Sequence, residues 1–176
     1  MQRGLTDAAE TALARAEEEA AELCRAYVGT EHLLLGLLYD ESCVAANILR
    51  VHDITYAQTK ALSGEGGARD ISPSAREMTP GLRTVIETAA DEAAKSGGGK
   101  VGTEHLLLAL LGERESAAVR LIIAQSAGVG EIKNDIMTFL SETGTEAKPQ
   151  NTKGKYGQEQ ENVGEGVELV ELGGFR

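Results

Sequence analysis

The sequence predicts an all-α protein built as a pseudo-two-fold tandem repeat of two four-helix bundles, eight helices in all, followed by a flexible C-terminal tail. Three observations carry this. Val28 to Leu38 reads VGTEHLLLGLL and Val101 to Leu111 reads VGTEHLLLALL, ten of eleven positions being identical at an offset of 73 residues. The same offset maps Thr6 onto Thr79, Leu13 onto Ile86, Ala16 onto Ala89, Ala20 onto Ala93 and Ala45 onto Ala118, as a tandem duplication would. Finally, hydrophobic residues make up 41% of the chain but aromatics only 3%, with no Trp, so Ala and Leu must fill the interior, which suits closely packed helices.

The elements follow in order. Thr6 can cap a helix running to about Cys24, because Leu5, Ala9, Leu13, Ala16, Ala20 and Leu23 recur at helical spacing. Glu10, Arg15, Glu17, Glu18, Glu19 and Glu22 fall on its polar faces, and the run Glu17–Glu19 reads as a solvated face. Gly29 breaks what precedes, Thr30 can cap the next helix, and Glu31 falls in its first turn, where the helix dipole favours a carboxylate. This helix ends near Asp40. Leu33, Leu34, Leu35, Leu37 and Leu38 make it apolar nearly all round, so it is expected to be the buried centre of its repeat. It is too short for a membrane, which needs about 20 apolar residues. Ser42 can cap a third helix with Val44, Ala45, Ile48 and Leu49 as its apolar face, closed by His52 and Asp53. A fourth spans about Thr55 to Leu62 and completes repeat 1 (1–62).

Ser63 to Met78, rich in Gly and charge, reads as the linker (63–78). Thr79-Pro80 opens repeat 2 (79–143), with Thr as cap and Pro at the first helical position, and that helix stops at Gly97-Gly98-Gly99. Thr103–Leu111, with Thr103 as its cap, Ser116–Gln125 and Gly130–Glu142 supply the remaining three. The tail (144–176) is polar from Thr145 to Gly166 and expected to be disordered or a tether. Val167, Leu169, Val170 and Leu172 then form a short apolar run: either a loose end or a segment that docks on this domain or on a partner.

A net charge of −11 disfavours nucleic acid, whose binding needs a Lys/Arg footprint, and favours cationic peptides or basic protein segments. Nothing at the N-terminus resembles the apolar core of a signal peptide. Cys24 and Cys43 lack metal or redox spacing; free buried thiols in a cytoplasmic protein are expected, since a disulfide would need an oxidising compartment. His32 and His105 each follow a Glu but have no second ligand four residues on. They read as helix-start histidines bonded to a neighbouring loop, not as metal ligands. No nucleophile–base pair or metal set is visible, so neither an enzyme nor a cofactor is expected. The internal axis already pairs the repeats, and a monomer is expected.

The doubled VGTEHLLL motif, each copy preceded by a capping Thr some 24 residues earlier, resembles the double Clp N-terminal domain of the Clp/heat-shock AAA+ unfoldases, particularly the ClpC type, over about Leu5 to Thr143. The resemblance implies a compact eight-helix domain that sits on an ATPase ring and receives protein substrates and adaptor proteins, without catalytic activity of its own. It also implies phosphoarginine binding, one site per repeat, by Glu31 with Thr6 and Glu104 with Thr79. A carboxylate can take a guanidinium group in a forked pair, and a helix N-terminus with a hydroxyl suits the phosphate. Read without the family, each Glu is a first-turn dipole partner and each Thr a cap. The pattern departs from the family at Ala8 and Gly81, where relatives often carry Arg, and at Leu5 and Met78, where they tend to have an aromatic. Substrate or adaptor docking is the broader expectation. No Walker A loop is present: Gly98-Gly99-Lys100-Val101 lacks both the Ser/Thr and the first glycine. The tail does not read as the start of an AAA+ module, so a stand-alone regulator that occupies Clp partners, AAA+ subunits included, is the alternative to the N-terminal part of an unfoldase.

Overall fold

The computed structural model describes residues 4–64, 76–97 and 99–143. The described helices are α1 (Asp7–Glu22), α2 (Thr30–Tyr39), α3 (Val44–Val51), α4 (Tyr56–Ser63), α5 (Pro80–Lys95), α6 (Thr103–Gly112), α7 (Ala117–Ala124) and α8 (Val129–Thr143). Two short strands, β1 (Tyr27–Val28) and β2 (Glu77–Met78), precede α2 and α5. The tail beyond Thr143, with its apolar run, lies outside the described residues, as does most of the expected linker. The linker's described end is ordered by pairing: β2 runs parallel to β1, Tyr27 opposite Glu77 and Val28 opposite Met78. On the other side of the pseudo-axis, Leu5 bridges Val101 in parallel.

The 73-residue offset is written into the backbone. Cys24 (φ 56°) and Gly97 (φ 77°) occupy the left-handed region just past the first helix of each repeat. Asp53 (φ 62°) and Ser126 (φ 65°) do the same past the third. Chains commonly leave a helix through this conformation, so equivalent exits aim the next segment equivalently. α2 and α6 are the centres of their repeats: Leu33, Leu34, Leu35 and Leu37, with Leu106, Leu107, Leu110 and Leu111, are at most 1% exposed. The two bundles share one continuous core, closed by Ala9, Ala12 and Ala16 of α1, Leu82 and Val85 of α5, and Phe139 of α8.

Three sequence expectations are corrected. Thr30 and Thr103 are not the caps of their own helices; Gly29 and Gly102 hold that position and the threonines are the first helical residues. Their hydroxyls cross the pseudo-axis instead. Thr30 Oγ1 accepts from the Ala118 N–H at 3.3 Å and Thr103 Oγ1 from the Ala45 N–H at 3.3 Å, so each repeat satisfies an orphan donor at the start of the other's third helix. Cys43 rather than Ser42 caps α3: its Sγ accepts from the Ala46 N–H at 3.4 Å, as Ser116 Oγ accepts from Val119 in repeat 2. Ser42 turns back to Asp40. Cys43 is buried and Cys24 half-buried, and neither is joined in a disulfide.

The Glu17–Glu19 run is only partly solvated. Glu17 and Glu18 are exposed, but Glu19 is fully buried, because α4 packs over that side of α1. It is held by Arg15 at 2.7 Å, by Lys60 at 2.8 Å and by the Tyr56 hydroxyl. A buried carboxylate survives only with partners of this kind.

The one difference in the eleven-residue repeat, Gly36 against Ala109, has a packing cause. A Cβ on Gly36 would overlap the Ala12 carbonyl oxygen, so α1 and α2 approach more closely than a side chain allows. Gly36→Ala is therefore expected to destabilise the domain by about 1–3 kcal/mol through overpacking. Ala109→Gly is expected to cost only about 1 kcal/mol of helix propensity. Urea midpoints of the two variants check the asymmetry.

Candidate functional site

α1 sets where the predicted site residues can meet. Its 16 residues carry the chain about 24 Å away from Thr6 before α2 begins. Within one repeat, Thr6 and Glu31 therefore lie at opposite ends of a helix. The short parallel pairings then bring the ends of different repeats together. The Thr79 N–H donates to the Val28 carbonyl at 2.9 Å, and the Thr6 N–H donates to the Val101 carbonyl at 2.9 Å. The pairing that the resemblance implies is thus exchanged: Thr79 of repeat 2 lies beside the α2 start that carries Glu31, and Thr6 of repeat 1 beside the α6 start that carries Glu104.

At the first junction, the N-termini of α2 and α5 converge. Thr79 caps α5, its Oγ1 accepting from the Leu82 N–H at 3.1 Å. Gly81 faces the Thr30 methyl; a Cβ there would lie 3.9 Å from it, in ordinary contact. The Glu31 carboxylate folds over Gly29 beside the Tyr27 ring, and a side chain at Gly29 would strike it. Burial holds the Glu31 carboxyl above the usual range, opposed by its own backbone N–H and by the positive charge of Arg25. Arg25 is itself anchored, donating from Nη2 to the Ser63 carbonyl at 2.8 Å, and Arg76 Nε donates to the Arg25 carbonyl. Neither Arg carries a motif that marks it in the sequence; the β1–β2 pairing delivers them.

The second junction has the same backbone and a different surface. Thr6 caps α1, accepting from the Ala9 N–H at 3.1 Å. Glu104, unlike the half-buried Glu31, is 0% exposed. Its Oε2 lies 3.4 Å from His105 Nδ1.

His32 and His105 bond not to a neighbouring loop but to their own helix starts. Nδ1 of each accepts from the backbone N–H three residues earlier, Gly29 at 2.9 Å and Gly102 at 3.0 Å. This is half of a capping box, with imidazole in the place Glu usually takes. It also fixes the neutral ring's proton on Nε2. Among the described residues, no group of three or more His, Cys, Asp or Glu gathers as a metal site would require.

The described residues thus form a duplicated helical unit whose helix starts cross and pair between the repeats. The Clp repeat (R) N-terminal domain family model matches residues 4–69 and 77–165, and the chain belongs to that family. It is 40% identical over 140 residues to the ATP-dependent Clp protease ATP-binding subunit ClpC of Staphylococcus saprophyticus, covering 77% of this chain and 17% of that protein. It is 34% identical over 153 residues to the negative regulator of genetic competence ClpC/MecB of Bacillus subtilis, covering 84% of this chain and 18% of that protein. The chain therefore spans under a fifth of the length of these relatives. Among solved structures, the fold matches a ClpV N-domain in complex with a VipB peptide at a TM-score of 0.62, 18% identity, covering 80% of this chain and 90% of that one.

The histidine caps make a pH prediction. Burial pushes the His32 imidazole down to about 4, with Arg25 adding to the effect, Glu19 opposing it and Arg76 adding again. The unfolded chain takes up that proton near pH 6.5, so stability is present above 6.5 and lost as pH falls toward 4, by on the order of 3 kcal/mol. His32→Asn, whose amide oxygen can accept from Gly29 without ionising, is expected to lose about 2 kcal/mol less than the parent between pH 7 and 4.5. Urea titrations across that range measure it; parallel curves for the two proteins would refute the assignment.

Proposed function

We propose that this chain is a non-catalytic docking domain of the Clp unfoldase system that receives protein substrates or adaptor proteins. Its main contact is the junction of α2 and α5. The observation that carries the reading is the half-buried Glu31 carboxylate where two helix N-termini meet. A guanidinium group of an incoming chain can fork onto Glu31, and a phosphate on that arginine would face the positive ends of both helix dipoles and Arg25. Phosphoarginine-tagged proteins are therefore the ligand class this junction fits best, with Arg25 and Arg76 standing in for the basic residue that Gly81 does not supply. Thr79 shapes the Glu31 junction, and Thr6 and Glu104 form its counterpart.

Family membership supports this, as does the ClpV N-domain that takes a VipB peptide on the same fold. The net charge of −11 favours basic segments at longer range. No described helix is long and apolar enough to cross a membrane, and cysteines without a disulfide, Cys24 and Cys43, suit a reducing compartment.

The test is calorimetric titration with an arginine-phosphorylated peptide and its unphosphorylated twin. Loss of a hydrogen bond to a charged group costs about 1.5–3 kcal/mol, so Glu31→Ala is expected to weaken the phosphorylated peptide about 10- to 100-fold. Glu104→Ala, at a buried position, is expected to lower the melting temperature while leaving the tighter affinity within about twofold of the parent. Affinity is expected to rise with pH through the raised Glu31 titration, since only the carboxylate accepts the cation. No binding to either peptide by a protein with an intact circular dichroism spectrum would defeat the phosphoarginine reading.

A further inference from the structure

The duplication supplies an internal control, because every position in repeat 1 has a counterpart 73 residues on. In repeat 1 the surface at the end of α2, against α3 and α4, is filled. The Arg15 guanidinium sits 3.9 Å over the Tyr39 ring, and the Tyr39 and Tyr56 rings meet edge to face at 5.6 Å. Lys60 bonds the Tyr56 hydroxyl at 3.2 Å. What remains is a hollow of about 70 Å³ bordered by Leu38, Ala46 and Tyr56, with Glu41 and Arg50 at its rim.

In repeat 2 the filling is gone. The counterparts of Arg15, Tyr39 and Tyr56 are Thr88, Gly112 and Val129. The equivalent surface is a groove of about 530 Å³, floored by Leu111, Val119, Ile123 and Val129. That volume lies within the range of about 300–1,000 Å³ that holds compact ligands. Ile123, in the place of Arg50, is 57% exposed, an apolar side chain put where repeat 1 has a charge. The rim has lost its acidic residue as well. Arg114 replaces Glu41, and Lys133, the counterpart of Lys60, has Val129 where Tyr56 stood, while Glu92, the counterpart of Glu19, pairs with Lys95 at 3.2 Å; both charged groups lining the groove are cations.

We propose that this groove is the seat of the chain's own segment Val167–Leu172. The segment reads VELVEL, preceded by Glu165: four apolar side chains for the floor, with Glu168 and Glu171 for Arg114 and Lys133. It is the apolar run nearest to hand, and the geometry of its tether suits the distance. The groove is lined by the start of α8, and the described chain leaves at the other end of that helix, Thr143. Val129 to Thr143 is about 21 Å of helix. The polar spacer 144–166 has 23 residues, a length whose root-mean-square reach is about 26 Å. Effective concentration is greatest when reach matches span, and for such spacers it is on the order of 1 mM. A segment of modest intrinsic affinity would then occupy the groove most of the time. This inference concerns a surface other than the Glu31 junction, so the two stand or fall separately.

Methyl NMR on the full chain tests it. The parent is compared with a tail variant, Leu169→Ser/Val170→Ser/Leu172→Ser, which leaves the helical domain untouched. The expected result is that the Val119, Ile123 and Val129 methyl resonances move. A labelled peptide of residues 164–174 should bind the tail variant about tenfold more tightly than the parent, where the tethered copy competes. Restoring the filling of repeat 1 with Gly112→Tyr/Val129→Tyr in the tail variant should abolish that binding. Coincident methyl spectra would overturn the proposal, as would peptide binding indifferent to the filled groove. Methyl shifts that vanish on dilution would place the segment in a second copy and also overturn it. If the filled variant fails to fold, the comparison of parent and tail variant decides alone.

Discussion

The fold depends on the burial of two helices that are apolar on every side. α2 and α6 each present leucines around the full circumference, so no arrangement with one face in water satisfies them. Each needs a cage, and a cage of α1, α3 and α4 around α2 is open on the side where the other repeat comes. One repeat alone would leave α2 exposed toward α7 and α6 exposed toward α3. The duplicated unit is therefore stable as a pair, and the continuous core is the physical expression of that requirement.

Directional bonds then fix how the pair is assembled. Thr30 and Thr103 stand at the starts of the buried helices, yet serve the N-termini of α7 and α3 in the opposite repeat. The parallel pairings of β1 with β2 and of Leu5 with Val101 register the repeats a second time. Hydrophobic burial is non-directional and would tolerate sliding; the crossed caps and strand pairs do not. The same exchange builds the two junctions, because it brings the start of one repeat's first helix to the start of the other's second.

Within this symmetric frame the repeats have diverged. Glu31 is half-buried and Glu104 fully so, Gly36 permits a helix contact that Ala109 does not, and the Arg15–Tyr39–Tyr56 filling of repeat 1 has become a groove in repeat 2. The groove lies off the shared core, where substitution alters what the surface can bind without disturbing what holds the repeats together, whereas Gly36 and Ala109 are buried in the helix packing.

Much of this was legible in the residues. The repeat, the eight helices, the caps Thr6 and Thr79 and the burial of the leucine-rich helices follow from local periodicity and capping chemistry, which act over a few residues and are therefore written in order along the chain. What the residues could not show is everything that depends on a partner far away in sequence. Thr30 looked like the cap of its own helix because the donor it serves, Ala118, is 88 residues distant. Glu19 looked solvated because α4 packs over it only in the folded chain. The family resemblance implied a site of Thr6 with Glu31, one per repeat, whereas a 16-residue helix separates them and strand pairing brings Thr79 beside Glu31 instead. Sequence determined the elements and their duplication; tertiary structure decided which ends meet, because a helix is specified by its neighbours along the chain and a junction by neighbours across space.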